Sequence, residues 1–309
     1  MNTNMMFQVF CSIFQTFLMF GLGVIAIRTG MIRKENLGGL TRLALDVFFP
    51  FLTFSTILRN FTPEKMHDLW IMPTIGFGMM AAGGLAGFLF RMKMFHSTPE
   101  RRASIHHICA INNYIFLPLI VLDKLWGAHH LALLLMMNVG STIGFWTIGI
   151  LTFGGSGSLK QSVKNIFSVN LAAIVLAVIM AWFHIPVPSF LSGMADMAGG
   201  MAVPFMLILT GAALWFQADK LFRDKLDALY ITAVRLLILP AMLIFLLKLL
   251  PLERDVLEVC ITVALMPAAS ASVLIAERYG GSTELTGQAI IITTSLSIIT
   301  IPLGLWLAF

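Results

Sequence analysis

The sequence has few charged residues and few cysteines, and both shortages limit what the protein can be. Asp, Glu, Lys and Arg make up only 11% of its 309 residues, whereas soluble domains contain about a quarter. So little charge leaves too little polar surface to enclose a core in water. The three cysteines, Cys11, Cys109 and Cys260, lie in apolar stretches and form no CxxC pair, which indicates packing residues and not a redox motif.

The motifs of the common catalytic chemistries are also missing. The sequence contains no GxSxG, no HExxH and no nucleotide-binding P-loop, and these absences disfavour an intramembrane hydrolase and ATP-driven transport by this chain alone. We therefore predict that the protein is not an enzyme and that it uses no cofactor and no metal ion. The net charge of +5 falls mainly in short loops, which favours membrane topology over nucleic-acid binding.

Long apolar runs dominate the rest of the sequence and predict ten transmembrane helices, numbered spans 1 to 10. About 20 apolar residues cross about 30 Å of hydrocarbon, and lipid favours helices because they pair their own backbone groups. The predicted spans are, in order, 7–27, 38–58, 69–90, 103–122, 130–153, 165–183, 190–216, 226–250, 256–276 and 285–309. No basic residue precedes the first run and Arg28 follows it, the reverse of a secretory signal, so we expect span 1 to be retained.

The distribution of basic residues predicts how the spans are oriented. Most lysines and arginines lie in the loops that follow odd-numbered spans. The positive-inside rule then predicts a multi-pass protein of the cytoplasmic membrane with both termini outside. The longest loop, 154–164, is rich in Gly and Ser and then basic, so we interpret it as a cytoplasmic linker between two five-helix halves, 1–153 and 165–309.

An odd number of helices in each half predicts that the second half is inverted relative to the first, an arrangement found in many secondary carriers. Asn112 and Asn113 lie in the middle of span 4 ahead of Pro118, and Pro267 lies in the middle of span 9. Proline lacks an N–H group and crowds an earlier carbonyl, so both spans are predicted to break there. The freed helix ends would attract anions to the middle of the membrane. A kink that only shapes packing is the alternative.

Two charged residues within the spans are further candidates for a role in transport. Asp46, one turn before Pro50 in span 2, could couple transport to a proton or cation, because a carboxylate inside a membrane is rare and often functional. An i, i+4 pair with Arg42 is an equal alternative. Arg235 in span 8 could neutralise an anionic substrate, or it could extend to the cytoplasmic headgroups.

These arguments give a set of predicted substrate contacts, with two alternatives open. The set is Asn112, Asn113, Pro118, Arg235, Pro267, Ser270 and Ser272. The two asparagines could instead only satisfy backbone groups freed by the break. His106 and His107 open span 4, and we interpret them as membrane-interface residues, with proton handling as the alternative.

At these residues the sequence resembles the auxin efflux carrier family, which includes bacterial malonate and malate carriers. The matching stretches are 43–50 (LALDVFFP), 113–119 (NYIFLPL), 235–240 (RLLILP), 266–270 (MPAAS) and 277–280 (ERYG). The resemblance implies a fold like that of bile acid/sodium symporters, with two inverted five-helix repeats and spans 4 and 9 broken and crossed. Spans 1, 2, 6 and 7 would form a panel, and spans 3–5 and 8–10 a core. Leu117 departs from the family, whose members often have glycine there.

The resemblance also implies a function. It predicts a secondary active transporter that moves a small organic anion, a dicarboxylate or an auxin-like carboxylate, by alternating access at the crossing of spans 4 and 9. Membrane lipid is an expected partner, while a homodimer and coupling to H+ or Na+ are left open. A membrane sensor that binds its ligand without transporting it is the alternative.

Overall fold

A computed structural model describes residues 3–60, 66–95, 98–154, 168–216 and 225–309 of the protein. Within these ranges the secondary structure is helical, apart from one isolated bridge between Asn112 and Ala268. The α-helices are α1 (Thr3–Arg28), α2 (Lys34–Leu43), α3 (Phe49–Asn60), α4 (Met66–Phe90), α5 (Pro99–Ala110), α6 (Phe116–Trp126), α7 (Ala128–Leu151), α8 (Val169–Trp182), α9 (Ser189–Gly200), α10 (Ala202–Trp215), α11 (Lys225–Ala233), α12 (Leu239–Lys248), α13 (Arg254–Ala264), α14 (Ser272–Tyr279) and α15 (Thr283–Ala308). The prediction of an all-helical protein is confirmed.

Six helical stretches in the described residues are long and apolar enough to cross a membrane. They are Lys34–Arg59, Ile71–Lys93, Ala128–Leu151, Ser189–Trp215, Leu226–Lys248 and Thr283–Ala308, and they coincide with predicted spans 2, 3, 5, 7, 8 and 10. Two shorter apolar helices, Ile13–Arg28 and Val169–Trp182, correspond to spans 1 and 6. Spans 4 and 9 are each divided into two short helices. Apart from Gly154, the predicted linker 154–164 lies outside the described residues.

Two of the membrane-length helices contain a π turn immediately before a proline. Ala44–Phe48 joins α2 to α3 ahead of Pro50, and Val234–Ile238 joins α11 to α12 ahead of Pro240. The residue after each turn donates its backbone N–H to the carbonyl five residues earlier. Proline lacks an N–H and crowds the carbonyl four residues before it, and the wider π turn accommodates that defect without ending the helix.

Small residues bring α4 and α7 into close contact. A Cβ on Gly76 would lie 2.5 Å from the Met137 carbonyl oxygen, and one on Gly140 would collide with the backbone of Pro73. Membrane helices associate through such close backbone approaches because lipid offers no hydrophobic driving force between them. The pair α4/α7 forms one wall around the broken helices, and eight of the 11 residues of α13 are buried beside it. Large exposed apolar side chains are frequent on α1, α8 and α9, as expected of a surface in lipid.

Candidate functional site

Two non-helical segments meet in the interior of the protein. Residues 111–115 separate α5 from α6, and residues 265–271 separate α13 from α14. The segments run antiparallel, since Asn112 and Ala268 form an antiparallel bridge and the Asn113 N–H donates to the Pro267 carbonyl at 2.8 Å. These two segments, with the four helix ends beside them, are called the crossing below.

The two prolines of the crossing have different positions. Pro118 is the third residue of α6, where its missing N–H would have no intrahelical partner in any case, so it starts the second half-helix without disturbing it. Pro267 lies inside the second break, and its carbonyl accepts the bond from Asn113. Both prolines are buried, so each shapes the backbone and neither presents an N–H group to a ligand.

Arg235 joins the C-terminal ends of two half-helices. Its side chain is 1% exposed. Nε and Nη2 donate to the Met266 carbonyl at 3.1 and 3.0 Å, and Nη1 donates to the Cys109 carbonyl at 3.3 Å. These carbonyls lie at the ends of α13 and α5, where the helix dipoles concentrate negative charge. The guanidinium therefore points into the crossing. This geometry disfavours the alternative interpretation, in which Arg235 extends to the cytoplasmic headgroups.

The opposite helix ends at the crossing lack such compensation. α6 begins after Ile115 and α14 begins after Ala271, and neither residue provides a side-chain cap. By contrast, Ser168 caps α8 and Ser282 caps α15 through their hydroxyl groups. The first N–H groups of a helix have no intrahelical acceptor and carry partial positive charge. The N-terminal ends of α6 and α14 therefore add partial positive charge to the crossing, next to the guanidinium of Arg235.

The two adjacent asparagines have separate roles in the structure. Asn112 is buried, and its Nδ2 donates to the Val263 carbonyl at 2.5 Å, so it fastens the first break to α13. The Asn113 side chain is partly exposed and makes no hydrogen bond within the described part of the chain, and the same holds for Ser270. Asn113 and Ser270 are thus polar side chains at the crossing that remain available to a ligand.

Ser272, the first residue of α14, is bonded to a histidine that sequence reasoning assigned to the membrane interface. Its Oγ lies 3.2 Å from Nε2 of His107, and both side chains are fully buried. Nδ1 of His107 lies 3.0 Å from the Gly149 carbonyl oxygen on α7. The sequence gives no direct signal for this contact, because 165 positions separate the serine from the histidine.

Comparison with known proteins agrees with the geometry. Residues 8–305 match the family described as "Membrane transport protein". The chain belongs to this family. An uncharacterized transporter of Methanothermobacter thermautotrophicus is 26% identical over 286 residues, covering 91% of this chain and 92% of the relative. The uncharacterized transporter MJ1031 of Methanocaldococcus jannaschii is 21% identical over 287 residues, covering 90% and 92%.

Membership of the membrane transport protein family confirms the resemblance to auxin efflux carriers drawn from the sequence motifs. It also makes this chain a multi-pass membrane protein of a transporter family, which agrees with the prediction that it is not an enzyme. The relatives carry no named substrate, so their descriptions identify no cargo.

Asp46 lies apart from the crossing of this membrane transport protein. Its Oδ2 is 3.1 Å from Nε of Arg42, and the two side chains are 49% and 84% exposed. The π turn that carries it packs chiefly against α8, α9 and α10. The local pair that sequence left as an alternative is therefore formed, and a coupling role for Asp46 stays a prediction.

A narrow cavity adjoins the crossing. It has a volume of about 10 Å³ and is lined by Asn112, Arg235 and Ser141 together with methionines of α4 and α7. That volume suffices for about one water molecule and is too small for a dicarboxylate, so the crossing is closed on this side. A cleft of about 400 Å³ runs along α6 between that helix and α1, α3, α9 and α10, with Gln15, Thr16 and Asp123 in its walls.

A second polar cluster lies at the start of α7 and α13. His130, Asp255 and Glu258 each place one potential ligand atom within 4.8 Å of the others, so these residues could hold a metal ion. Nε2 of His130 already lies 2.9 Å from Glu258, and Arg254 donates to the same carboxylate at 2.9 Å. We interpret the cluster as an ion-pair network, because a neighbouring guanidinium opposes a second cation.

Proposed function

We propose that this protein is a secondary active transporter that carries a small organic anion, a dicarboxylate or an auxin-like carboxylate, through the crossing by alternating access. The observation that carries this proposal is the position of Arg235, whose guanidinium bonds to carbonyls at the ends of both α5 and α13. A charged group inside a membrane bundle commonly marks a substrate or ion pathway.

The electrostatics of the crossing favour an anion over a cation. Arg235 offsets the negative ends of two helix dipoles, while the positive ends of α6 and α14 have no side-chain cap. Helix N-termini bind carboxylates through free N–H groups and the dipole together. Asn113 and Ser270 supply neutral hydrogen-bonding groups next to these ends, which suits the oxygens of a carboxylate.

The packing is consistent with two inverted five-helix repeats, 1–153 and 165–309. The paired half-helices contain 12 and 11 residues in the first half and 11 and 8 in the second, so each pair together has about the length of one span. Their breaks meet antiparallel, as an inverted repeat requires. We propose a panel of spans 1, 2, 6 and 7, a core of spans 3–5 and 8–10, and both termini outside the cytoplasmic membrane.

The cleft along α6 supports alternating access. One wall comes from α1, α3, α9 and α10, which correspond to the proposed panel, and the other from α6 and α7 of the proposed core. A rigid-body movement of core against panel would widen this cleft and bring the crossing to one side of the membrane. In this proposal H+ or Na+ drives transport, a coupling role for Asp46 stays a prediction, and membrane lipid surrounds the bundle.

The test is uptake of radiolabelled malonate, malate and indole acids into proteoliposomes, with protein-free liposomes as the blank. We expect at least one anion to be accumulated or exchanged. Asn113→Ala should lower uptake of that anion about tenfold, as expected for one lost hydrogen bond to a charged group. Asn170→Ala is the matched control, because Asn170 bonds to Thr53 away from the crossing and should leave uptake near the wild-type level.

Two results would count against the proposal. Folded protein that moves none of these anions, alone or in exchange, would contradict transport. Tight binding of an anion without flux would instead favour the membrane sensor.

A further inference from the structure

A buried histidine lies one hydrogen bond away from the proposed anion site. His107 is on α5, close to the first break, and its ring packs 4.9 Å from that of Phe153. It is fully buried and contacts the C-terminal end of α7, through Gly149 and through Thr152 just after the helix, and α14, through Ser272. Histidine can gain or lose a proton more readily than other side chains. Its hydrogen bonds therefore determine which ring nitrogen takes up a proton and how that changes the bond to Ser272.

The partners of the ring define the tautomer of the neutral form. A carbonyl oxygen can only accept a hydrogen bond, so Nδ1, at 3.0 Å from the Gly149 oxygen, carries the proton. Nε2 is then an acceptor, and the Ser272 hydroxyl 3.2 Å away must donate to it. While His107 is neutral, the single hydroxyl proton of Ser272 is therefore used within the protein and is withheld from a ligand.

Few other charges act on this ring. On its own helix α5 the neighbouring titratable groups are His106 and Cys109, and Arg235 donates to the Cys109 carbonyl. The sequences of α4 after Asp68 and of α7 after His130 contain no acid or base. The first turn of α5 carries Glu100, Arg101 and Arg102, and the turn Arg91–Lys93 that packs against α5 carries Arg91 and Lys93. The remaining groups on packed elements are Glu277, Arg278 and Tyr279 at the far end of α14, Glu284 at the start of α15 and Tyr114 in the first break.

We propose that His107 is the proton-binding site of a proton–anion symport, coupled to the anion through Ser272. When a proton from solution binds Nε2, that nitrogen becomes a donor to the Ser272 oxygen. The serine O–H is then released and can donate to a carboxylate at the N-terminus of α14. The added positive charge also offsets the charge of the anion, so proton and anion each favour binding of the other. This inference rests on the proposed function.

The expected result is an anion affinity that rises as the pH falls. One charge-assisted hydrogen bond should tighten binding about ten- to hundredfold as the pH falls from about 7 to about 4, because burial of the ring disfavours its charged form. His107→Gln keeps a polar nitrogen near the position of Nε2 but does not titrate, so its affinity should vary much less over that range. His106→Gln is the matched control, because His106 bonds to the Gly84 carbonyl and not to the crossing. Ionisation of the ligand itself affects all variants equally.

Binding is measured by calorimetry in detergent, and proton uptake by a pH-sensitive dye inside proteoliposomes during anion entry. Wild-type protein and His106→Gln should show anion-dependent proton entry, and His107→Gln should not. The proposal is wrong if His107→Gln keeps the wild-type pH dependence and proton entry. Wild-type protein that transports an anion with neither a pH-dependent affinity nor proton entry would also overturn the role of His107, while leaving the proposed function intact.

A second pair of variants tests the coupling of His107 to the anion through Ser272 without changing the histidine. Ser272→Thr keeps the hydroxyl and should keep the pH dependence, whereas Ser272→Ala should bind the anion more weakly and with little dependence on pH. Equal pH dependence in these two variants would overturn this coupling even if His107→Gln failed to fold. Failure of the wild type to bind or move any organic anion would instead refute the proposed function.

Discussion

The two π turns of this protein are built by the same local rule and have opposite surroundings. Each spans five residues, ends two residues before a proline and carries one charged residue, Asp46 in the first and Arg235 in the second. Asp46 is half-exposed and pairs with Arg42 on its own helix. Arg235 is buried and bonds to the ends of two other helices.

The difference shows that the proline determines the π turn but not the role of the charged residue in it. A missing N–H group requires the backbone to adapt wherever it occurs, so both sites adopt a π turn. The role of the charged residue depends on what packs beside it. Helices α8, α9 and α10 surround the first turn, whereas the second lies against the crossing, where the Cys109 and Met266 carbonyls accept hydrogen bonds from Arg235.

Removing the charge from the buried turn should have the largest effect. Arg235→Gln leaves carbonyls of Cys109 and Met266 without their donor, and an unsatisfied buried group costs about 1–3 kcal/mol. We expect anion uptake to fall by more than about tenfold and the thermal unfolding temperature in detergent to drop. Arg235→Lys keeps the charge without the planar fork and should be intermediate.

Arg42→Gln is the matched control for this substitution, because it removes an arginine from the exposed pair. It should leave uptake close to wild type. Equal losses of uptake in Arg42→Gln and Arg235→Gln would show that the two turns do not differ in function.

Replacing the two prolines compares the turns directly. Pro240→Ala restores an N–H and allows an α-helical register, which would rotate Arg235 away from its carbonyl partners. We expect a several-fold loss of uptake. Pro50→Ala permits the same local change around Asp46 and should alter uptake by less than about twofold, since an exposed ion pair contributes at most about 1 kcal/mol. The uptake rates of both variants, normalised to the amount of reconstituted protein, measure these effects. A greater loss in Pro50→Ala than in Pro240→Ala would show that the first π turn, and not the second, matters for transport.

The smallest effect is expected at Asp46. Asp46→Asn breaks a pair whose members are 49% and 84% exposed, and such pairs contribute about 0–1 kcal/mol. Uptake and its pH dependence should stay near the wild-type values in proteoliposomes. A loss of coupled uptake with normal anion binding would instead assign Asp46 the coupling role that its position within a span suggested.

Much of the architecture could be predicted from local sequence. The apolar runs predicted the six membrane-length helices and the two shorter apolar helices of the described residues, because a run of about 20 apolar residues favours a helix in lipid whatever its neighbours are. The breaks in spans 4 and 9 fall beside Asn113 and Pro267, since proline and asparagine act on the backbone nearest to them. The family resemblance followed from the order of the same motifs.

The side-chain partners at the crossing could not be predicted in this way. Nothing local distinguishes Asn112, which holds the Val263 carbonyl, from Asn113, which remains available. His107 looked like a residue of the membrane surface because depth along a span is uncertain by about a turn when helix ends are uncertain by a few residues. Its bond to Ser272 depends on how α5 and α14 pack.

The sequence by itself determined that the chain is a helical membrane protein of a transporter family with two interrupted spans. Lipid penalises every unpaired backbone group wherever it occurs, so composition and proline positions suffice for the helices and their interruptions, while the family follows from the order of the motifs. Only the tertiary structure decided that Arg235 turns inward, that Asp46 pairs locally, and that His107 reaches Ser272. These outcomes depend on which elements pack beside each side chain: Arg235 bonds to the Cys109 carbonyl 126 positions away and His107 to Ser272 165 positions away, while Asp46 pairs with its own helix neighbour Arg42.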